Sequence, residues 1–487
     1  MTKQDTRDAP ATGRPPAPPS AGLIGTGIAG LDDVLGGGLP PHHVYLVAGD
    51  PGVGKTTLAL QFLLEGVRRG ETGLYITLSE TQEELKAVAA SHRWDLGRLG
   101  IFELTALEQK VRTEAQNTFY LPSEIELSKT VTGLLQEIER RAPQRVVFDS
   151  MAEIRLLAEN PLRYRREILA LKQFFIGRHT TALLIDDRTS EAQDSQLRTL
   201  AHGVIELEQL HPEYGAEKRR LRVTKLRGVR YRGGHHDYSI QTGGLVVYPR
   251  LVASEHRGDL TDTLISSGLP ALDTLLGEGL NRGTSTLLLG GAGTGKSVLC
   301  SQYAVAAADR GERTSVFLFD ERYETFLLRS RNLRMPVDDR IRAGKMTVHQ
   351  IDPSEKSPGE FSTMVREAVE GGSKLVVIDS VNGYIRAMPE ERYLLVHLHE
   401  LLSYLGQKGV TTLFTLAQHG LVASDMSAPT DLSYLADTVV LLRYFEIAGE
   451  VKKSIAIVKK RTGRHENSIR EFEITADGIH VGPPLKG

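Results

Sequence analysis

Two eight-residue stretches decide the fold: Gly49-Asp50-Pro51-Gly52-Val53-Gly54-Lys55-Thr56 and Gly290-Gly291-Ala292-Gly293-Thr294-Gly295-Lys296-Ser297. Both read GxxxxGK followed by Thr or Ser. The first follows a β-rich apolar run, Val44 to Ala48, and opens an apolar helix from Thr56. Glycines at these spacings let successive backbone N–H groups turn inward around an anion, and the helix N-terminus behind them adds its dipole. The lysine can reach the β- and γ-phosphates of a nucleotide, and a Thr56 or Ser297 hydroxyl suits Mg²⁺. The phosphate contacts are read as Gly49, Gly52, Gly54, Lys55, Thr56 and Thr57 in the first loop. In the second they are Gly290, Gly293, Gly295, Lys296, Ser297 and Val298.

The surroundings of the loops repeat as well. IGTGIAGLDDVLGGGLP from Ile24 answers ISSGLPALDTLLGEGLN from Ile265, and Lys55 and Lys296 stand 241 positions apart. RVVFDS (Arg145 to Ser150) answers LVVIDS (Leu375 to Ser380), and VTKLRG answers IVKKRTG further on. Landmarks recurring in one order mark a tandem duplication of a unit of roughly 230 residues. A chance glycine-rich turn would not recur in register. The expected division is a disordered proline-rich tail over 1–21, a first unit over 22–251, a polar linker over 252–261 and a second unit over 262–487. Leu74 to Leu78, Val146 to Phe148 and Ala182 to Ile185 read as further buried strands between helices. That alternation predicts an α/β fold, a mostly parallel sheet covered by helices on both faces of each unit.

Composition narrows the function. The chain has 487 residues with 59 basic and 61 acidic side chains, a net charge of −2 that argues against a protein coating nucleic acid. No apolar run approaches the roughly 18 residues that span a bilayer, so no membrane role is expected. The single cysteine, Cys300, lies in an apolar helical stretch; it predicts a buried thiol and a reducing, cytoplasmic setting. His42-His43, His235-His236 and His397-Leu398-His399 have no metal-ligand spacing and read as solvated loops or helix faces.

Asp149 and Asp379 each end an apolar strand, where a carboxylate meets the Mg²⁺ shell across a phosphate loop. Turnover also needs a carboxylate that orients or deprotonates the nucleophile. Ser79-Glu80 and Asp320-Glu321 follow the second strand of each unit, and Glu80 and Glu321 are again 241 positions apart. Glu80, Asp320 and Glu321 are therefore the candidate catalytic acids.

These residues together resemble the KaiC family of ATPases and autokinases within the RecA-like P-loop superfamily. The resemblance runs from Gly22 to about Val481 and includes GIAGLDDVLGGGLP, KLRG followed by GGHHDYSIQTGGLVVYP, and DTVVLLRYFEIAGE. It implies two RecA-like domains, ATP and Mg²⁺ as cofactors, and a double-ringed homohexamer with ATP at subunit interfaces. It implies that Lys225, Arg227, Lys459 and Arg461 touch a neighbour's γ-phosphate. It further implies hydrolysis in the first unit and phosphorylation of a hydroxyl pair by the second. By position that pair is Ser433 and Tyr434, with tyrosine in the threonine place. Ser79 replaces the first of the family's paired glutamates, leaving Glu80 alone, and Asp320 replaces the glutamate proposed as base. A KaiB-like or other signalling partner is implied; a KaiA-type activator is not expected, because the chain ends at Gly487 without a long extension.

Two other readings compete. Arg219, Arg220 and Arg222, with Lys225, Arg227, Arg230 and Arg232, form the densest basic run, and a RecA-like motor could track nucleic acid with it. For Arg219, Arg220 and Arg222 a solvated strand face is the preferred reading. A nucleotide-bound scaffold with little catalysis is the second alternative.

Overall fold

Val44–Gly49 forms β1, in which every residue after Val44 is buried. The computed structural model describes residues 22–103, 123–158, 160–175, 177–187, 191–211, 215–255, 262–386, 394–418, 432–447 and 449–485. The expected tail over 1–21 and most of the expected linker, 256–261, lie outside the described residues. The chain divides into two units, Met1–Arg250 and Leu251–Gly487.

The first unit is built on β1, β2 (Gly73–Thr77), β3 (Gly100–Glu103), β4 (Arg145–Asp149), β5 (Thr181–Asp187), β6 (Gly203–Leu210), β7 (Lys218–Leu226), β8 (His236–Gln241) and β9 (Gly244–Tyr248). They form one sheet in the order β3-β2-β4-β5-β1-β6-β7-β8-β9. Pairing is parallel from β3 to β6 and antiparallel from β6 to β9. The continuous apolar runs follow from burial on both faces. Tyr45, Val47, Tyr75, Val147 and Leu183 feed one core. The alternate residues Leu46, Ala48, Ile76, Phe148 and Leu184 feed the other.

The second unit repeats this plan. Its main sheet holds β12 (Ser285–Gly290), β13 (Arg313–Leu318), β14 (Met346–Gln350), β15 (Ser373–Asp379), β16 (Thr411–Ala417), β17 (Thr438–Ile447), β18 (Glu450–Lys460), β19 (Arg470–Thr475) and β20 (Gly478–Pro484). The order is β14-β13-β15-β16-β12-β17-β18-β19-β20, position for position that of the first sheet. A short ribbon of β10 (Leu264–Ile265) and β11 (Leu280–Asn281) precedes it. Leu288, Val316 and Val377 face one core and Leu287, Phe317 and Val376 the other.

The helix Lys55–Arg68 carries the first phosphate loop and is tied down by Arg145, a guanidinium with no solvent exposure. Arg145 Nη1 donates to Gly25 O and Phe62 O, both at 2.8 Å, and its Nε donates to Glu71 at 2.5 Å. Its plane also covers the Phe62 ring at 4.7 Å. One charged side chain thus joins the opening IGTG segment, the loop's helix and the edge of β4. Such a group is tolerable only because it is paired.

Candidate functional site

Both phosphate loops leave the carboxyl end of the central parallel strand, the usual position of a ligand crevice in an open α/β sheet. Gly54 and Gly295 immediately precede the helices, with φ of 94° and 108°. A Cβ on Gly54 would lie 2.6 Å from Ile240 Cδ1, and one on Gly295 equally close to Ile474 Cδ1. Backbone conformation and space both require glycine there. Gly49, Gly52, Gly290 and Gly293 lie within the same two turns. Thr57 and Val298 are buried in the helices behind, so what they offer a phosphate is backbone N–H.

Lys55 Nζ donates to Gly49 O at 2.9 Å and Asp50 O at 2.8 Å, and pairs with Asp187 at 2.7 Å. Thr56 Oγ1 donates to Asp149 Oδ2 at 3.2 Å, and Tyr75 OH donates to the same oxygen. Burial pushes the Asp149 carboxyl upward, opposed by the hydrogen bonds from Tyr75 and Thr56 and by the Lys55 charge. Glu80 follows β2, its backbone looped onto the Thr77 hydroxyl. Burial, then the charges of Asp149 and Glu84, raise its carboxyl above the ordinary glutamate range. Glu80 Oε2 is buried with no hydrogen-bond partner among the described residues.

In the second unit Lys296 Nζ donates to Gly290 O at 2.9 Å and Gly291 O at 2.7 Å. Burial lowers this ammonium, and Asp379 partly restores it. Asp379 Oδ1 accepts from Thr415 Oγ1 at 2.5 Å, and Asp320 accepts from Ser380 Oγ. Glu321 is clasped by Arg329 through both carboxylate oxygens. Lys296, Ser297, Asp320, Glu321 and Asp379 all line one open cavity of about 770 Å³.

The donors fit a hard divalent cation. Each loop presents a hydroxyl and a strand-end carboxylate, all-oxygen chemistry of the kind Mg²⁺ prefers. In the first unit Asp149 and Asp187 meet at Lys55, whose charge also offsets part of that on Glu80, while one Glu80 oxygen has no hydrogen-bond partner among the described residues.

Lys225, Arg227, Lys459 and Arg461 are not at these loops. Lys225 pairs with Val204 near the start of β6, the end at which Tyr45 opposes Gly203. Val204 lies beside Leu46, and the phosphate loop departs three residues on, at Gly49, about 10 Å along the strand. Lys225 Nζ is held by Arg198 O at 2.8 Å and Thr199 O at 2.9 Å. The second unit matches: Lys459 Nζ donates to Ser433 O and Ala436 O, both at 2.7 Å, and Arg461 donates to Tyr434 O at 2.8 Å. Ser433 and Tyr434 therefore stand at the sheet end opposite Gly290. Tyr434 is 53 % exposed.

The basic run departs from the expected solvated face. Arg219 pairs with Glu217 at 3.1 Å, Arg220 with Glu208 at 3.0 Å, and Arg222 with the fully buried Glu206 at 2.6 Å. β6 sets Glu208 and Glu206 opposite Arg220 and Arg222, an arrangement invisible when β7 is read alone, while Glu217 lies just ahead of β7 itself. His236, also expected in a solvated loop, is buried. Its ring accepts from Arg250 N at 3.0 Å, and burial brings its pKa down to about 4. Cys300 is buried as expected. Among the described residues there is no metal-binding group of three His, Cys, Asp or Glu, and no helix long and apolar enough to cross a membrane.

Sequence reasoning missed Tyr75, Asp187, Arg329 and Thr415. Asp187 had a signal, an acid ending a buried strand, but the second copy has Ala417 there and the repeat hid it. Arg329 had none, because Val88 occupies its place in the first copy.

A family model described as "ATPase: KaiC" matches residues 24–252 and again 265–486. The Circadian clock protein KaiC3 of Synechocystis sp. is 26% identical over 477 residues, covering 95% of this chain and 92% of that protein. The Circadian clock oscillator protein KaiC of Prochlorococcus marinus is 27% identical over 469 residues, 94% of this chain and 92% of its own length. Its namesake in Synechococcus elongatus is 26% identical over 466 residues, 94% and 88% respectively.

Proposed function

Because the chain belongs to the KaiC family of ATPases, we propose that it is a Mg²⁺-dependent ATPase that closes into a homohexameric ring, with autokinase activity in its second unit and a role in phosphorylation-state or clock-related signalling in the cytoplasm. Lys55 and Lys296 hold the β- and γ-phosphates against the loop N–H groups. Thr56 with Asp149, and Ser297 with Asp379, hold Mg²⁺, which when bound neutralises charge on the transferring phosphoryl group. Glu80 orients water in the first unit; Asp320 and Glu321 orient the acceptor hydroxyl in the second.

One observation carries the trans arrangement. Lys225, Arg227, Lys459, Arg461 and Ser433 lie at the sheet end opposite their own unit's loop, beyond side-chain reach. They can serve a phosphate only outside their own unit, and on this reading that phosphate is held by another copy of the chain. A heterologous contact of this kind generates a ring if it closes, and an arginine so delivered stabilises transition-state charge. Lys459 and Arg461 grip the carbonyls of Ser433 and Tyr434, so docking these cations on a γ-phosphate brings the acceptor segment along. Ser433 is the proposed acceptor, since its short side chain stays beside that anchor. A KaiB-like or other signalling protein is the proposed partner.

The nucleic-acid reading loses its patch to the Glu206, Glu208 and Glu217 pairs. The test is incubation of the full chain with γ-labelled ATP and Mg²⁺, followed by peptide mapping. Label on Ser433, absent from Ser433→Ala and from Lys296→Ala, is expected. Undiminished label in Ser433→Ala would overturn the assignment.

A further inference from the structure

The two phosphate loops are near copies, yet among the described residues only Lys55 is paired to a carboxylate across the sheet. Asp187 ends β5 directly opposite Gly49, and its Oδ1 lies 2.7 Å from Lys55 Nζ. In the second sheet the residue opposite Gly290 is Ala417, which has no charge to offer Lys296. The Lys55 side chain is 9 % exposed and that of Asp187 35 %. The pair is thus screened on the lysine side and partly exposed on the aspartate side. Three ligands now hold this ammonium: Gly49 O, Asp50 O and Asp187. A nucleotide phosphate that takes Lys55 has to displace the last of them.

We propose that Asp187 is a latch on Lys55: a positioning residue that lowers the affinity of the first unit for nucleotides whose β- and γ-phosphates need that ammonium. The second unit has Ala417 at this place and lacks the latch. The inference rests on reading the first loop as a nucleotide site. It goes beyond that reading by distinguishing two sites that the loop motif makes equivalent. Asp187 acts through Lys55, so its effect exists only while the lysine is present. Simple repulsion between Asp187 and the phosphates would not depend on Lys55, and this separates the two explanations.

The experiment uses the full chain carrying Lys296→Ala, so that binding reports the first loop. The non-hydrolysable probe adenylyl imidodiphosphate is titrated with Mg²⁺ by calorimetry. Asp187→Asn, which keeps the shape, and Asp187→Ala, which copies the second unit, should each lower Kd about fivefold, the scale of one partly exposed ion pair. In a Lys55→Ala background the same substitutions should change Kd by less than about twofold, because the coupling is gone. Unchanged or weaker binding in Asp187→Asn would overturn the latch alone. So would tightening of equal size without Lys55. No binding by the Lys296→Ala parent would overturn both the latch and the nucleotide reading of the first unit.

Discussion

Arg329 donates to both carboxylate oxygens of Glu321, at 3.1 and 2.9 Å, while Glu80, the matching acid of the first unit, has an orphaned oxygen and Val88 where the arginine would be. The second unit's acid is held in place by a cation; the first unit's is held through its backbone, on the Thr77 hydroxyl. Two sites with the same loop therefore differ in what contacts their carboxylate.

Acidification should expose that difference. The Glu80 carboxyl is raised by burial and by Asp149, so it takes up a proton at a higher pH than an ordinary glutamate. Only the ionised form orients water. In the Lys296→Ala chain, phosphate release should fall as pH drops, with its acid limb above the ordinary glutamate value of about 4.5. Glu80→Gln should be slower by about 10²-fold and lose that limb. A limb unchanged in Glu80→Gln would assign it elsewhere.

Removing the clasp should act on the second unit alone. Arg329→Met keeps a long apolar side chain but removes the guanidinium that lies over Phe326 and holds Glu321, and label transfer to Ser433 should fall about tenfold. Phosphate release by the first unit, measured with Lys296→Ala in the same chain, should not change. Equal transfer with and without Arg329 would mean that Glu321 needs no orientation.

Much of this was legible in the sequence, for a physical reason. A phosphate cradle needs glycines at fixed offsets and a lysine at one position, so the chemistry is written locally, and duplication prints it twice. Strands buried on both faces show up as apolar runs, which is why β1, β2, β4 and β5 could be placed from those runs alone. Cross-strand relations were not legible. The Glu206–Arg222 and Asp187–Lys55 pairs depend on register between distant segments, and the burial of His236 depends on packing from Arg250 and Arg232.

Arg145 offers a stability test specific to one unit. Leu375 takes its place in the second copy, so the guanidinium is a first-unit device. Arg145→Ala leaves Glu71 and two carbonyls without their donor, at a cost of about 3 kcal/mol to the first unit. Calorimetric melting should show a transition moved to lower temperature that added nucleotide partly restores in Lys296→Ala chains. Unaltered melting would mean the network adds nothing.

The paired arginines make a negative result informative. Single-stranded DNA at 50 mM salt should neither bind measurably nor stimulate phosphate release, because Arg219, Arg220 and Arg222 already hold carboxylate partners within the chain. Binding that weakens steeply between 50 and 200 mM salt would revive the motor reading.

The claim at the centre, that one chain completes another's site, is tested most directly by mixing two defective chains. Both carry Lys296→Ala; one also carries Lys55→Ala and the other Arg227→Ala. Each alone should release little phosphate. Co-assembled in equal amounts with Mg²⁺ and ATP, about one interface in four joins an intact loop to an intact Arg227. Phosphate release should then recover to about a quarter of the rate of the Lys296→Ala parent. A mixture that forms mixed oligomers yet turns over no faster than its components would contradict the account.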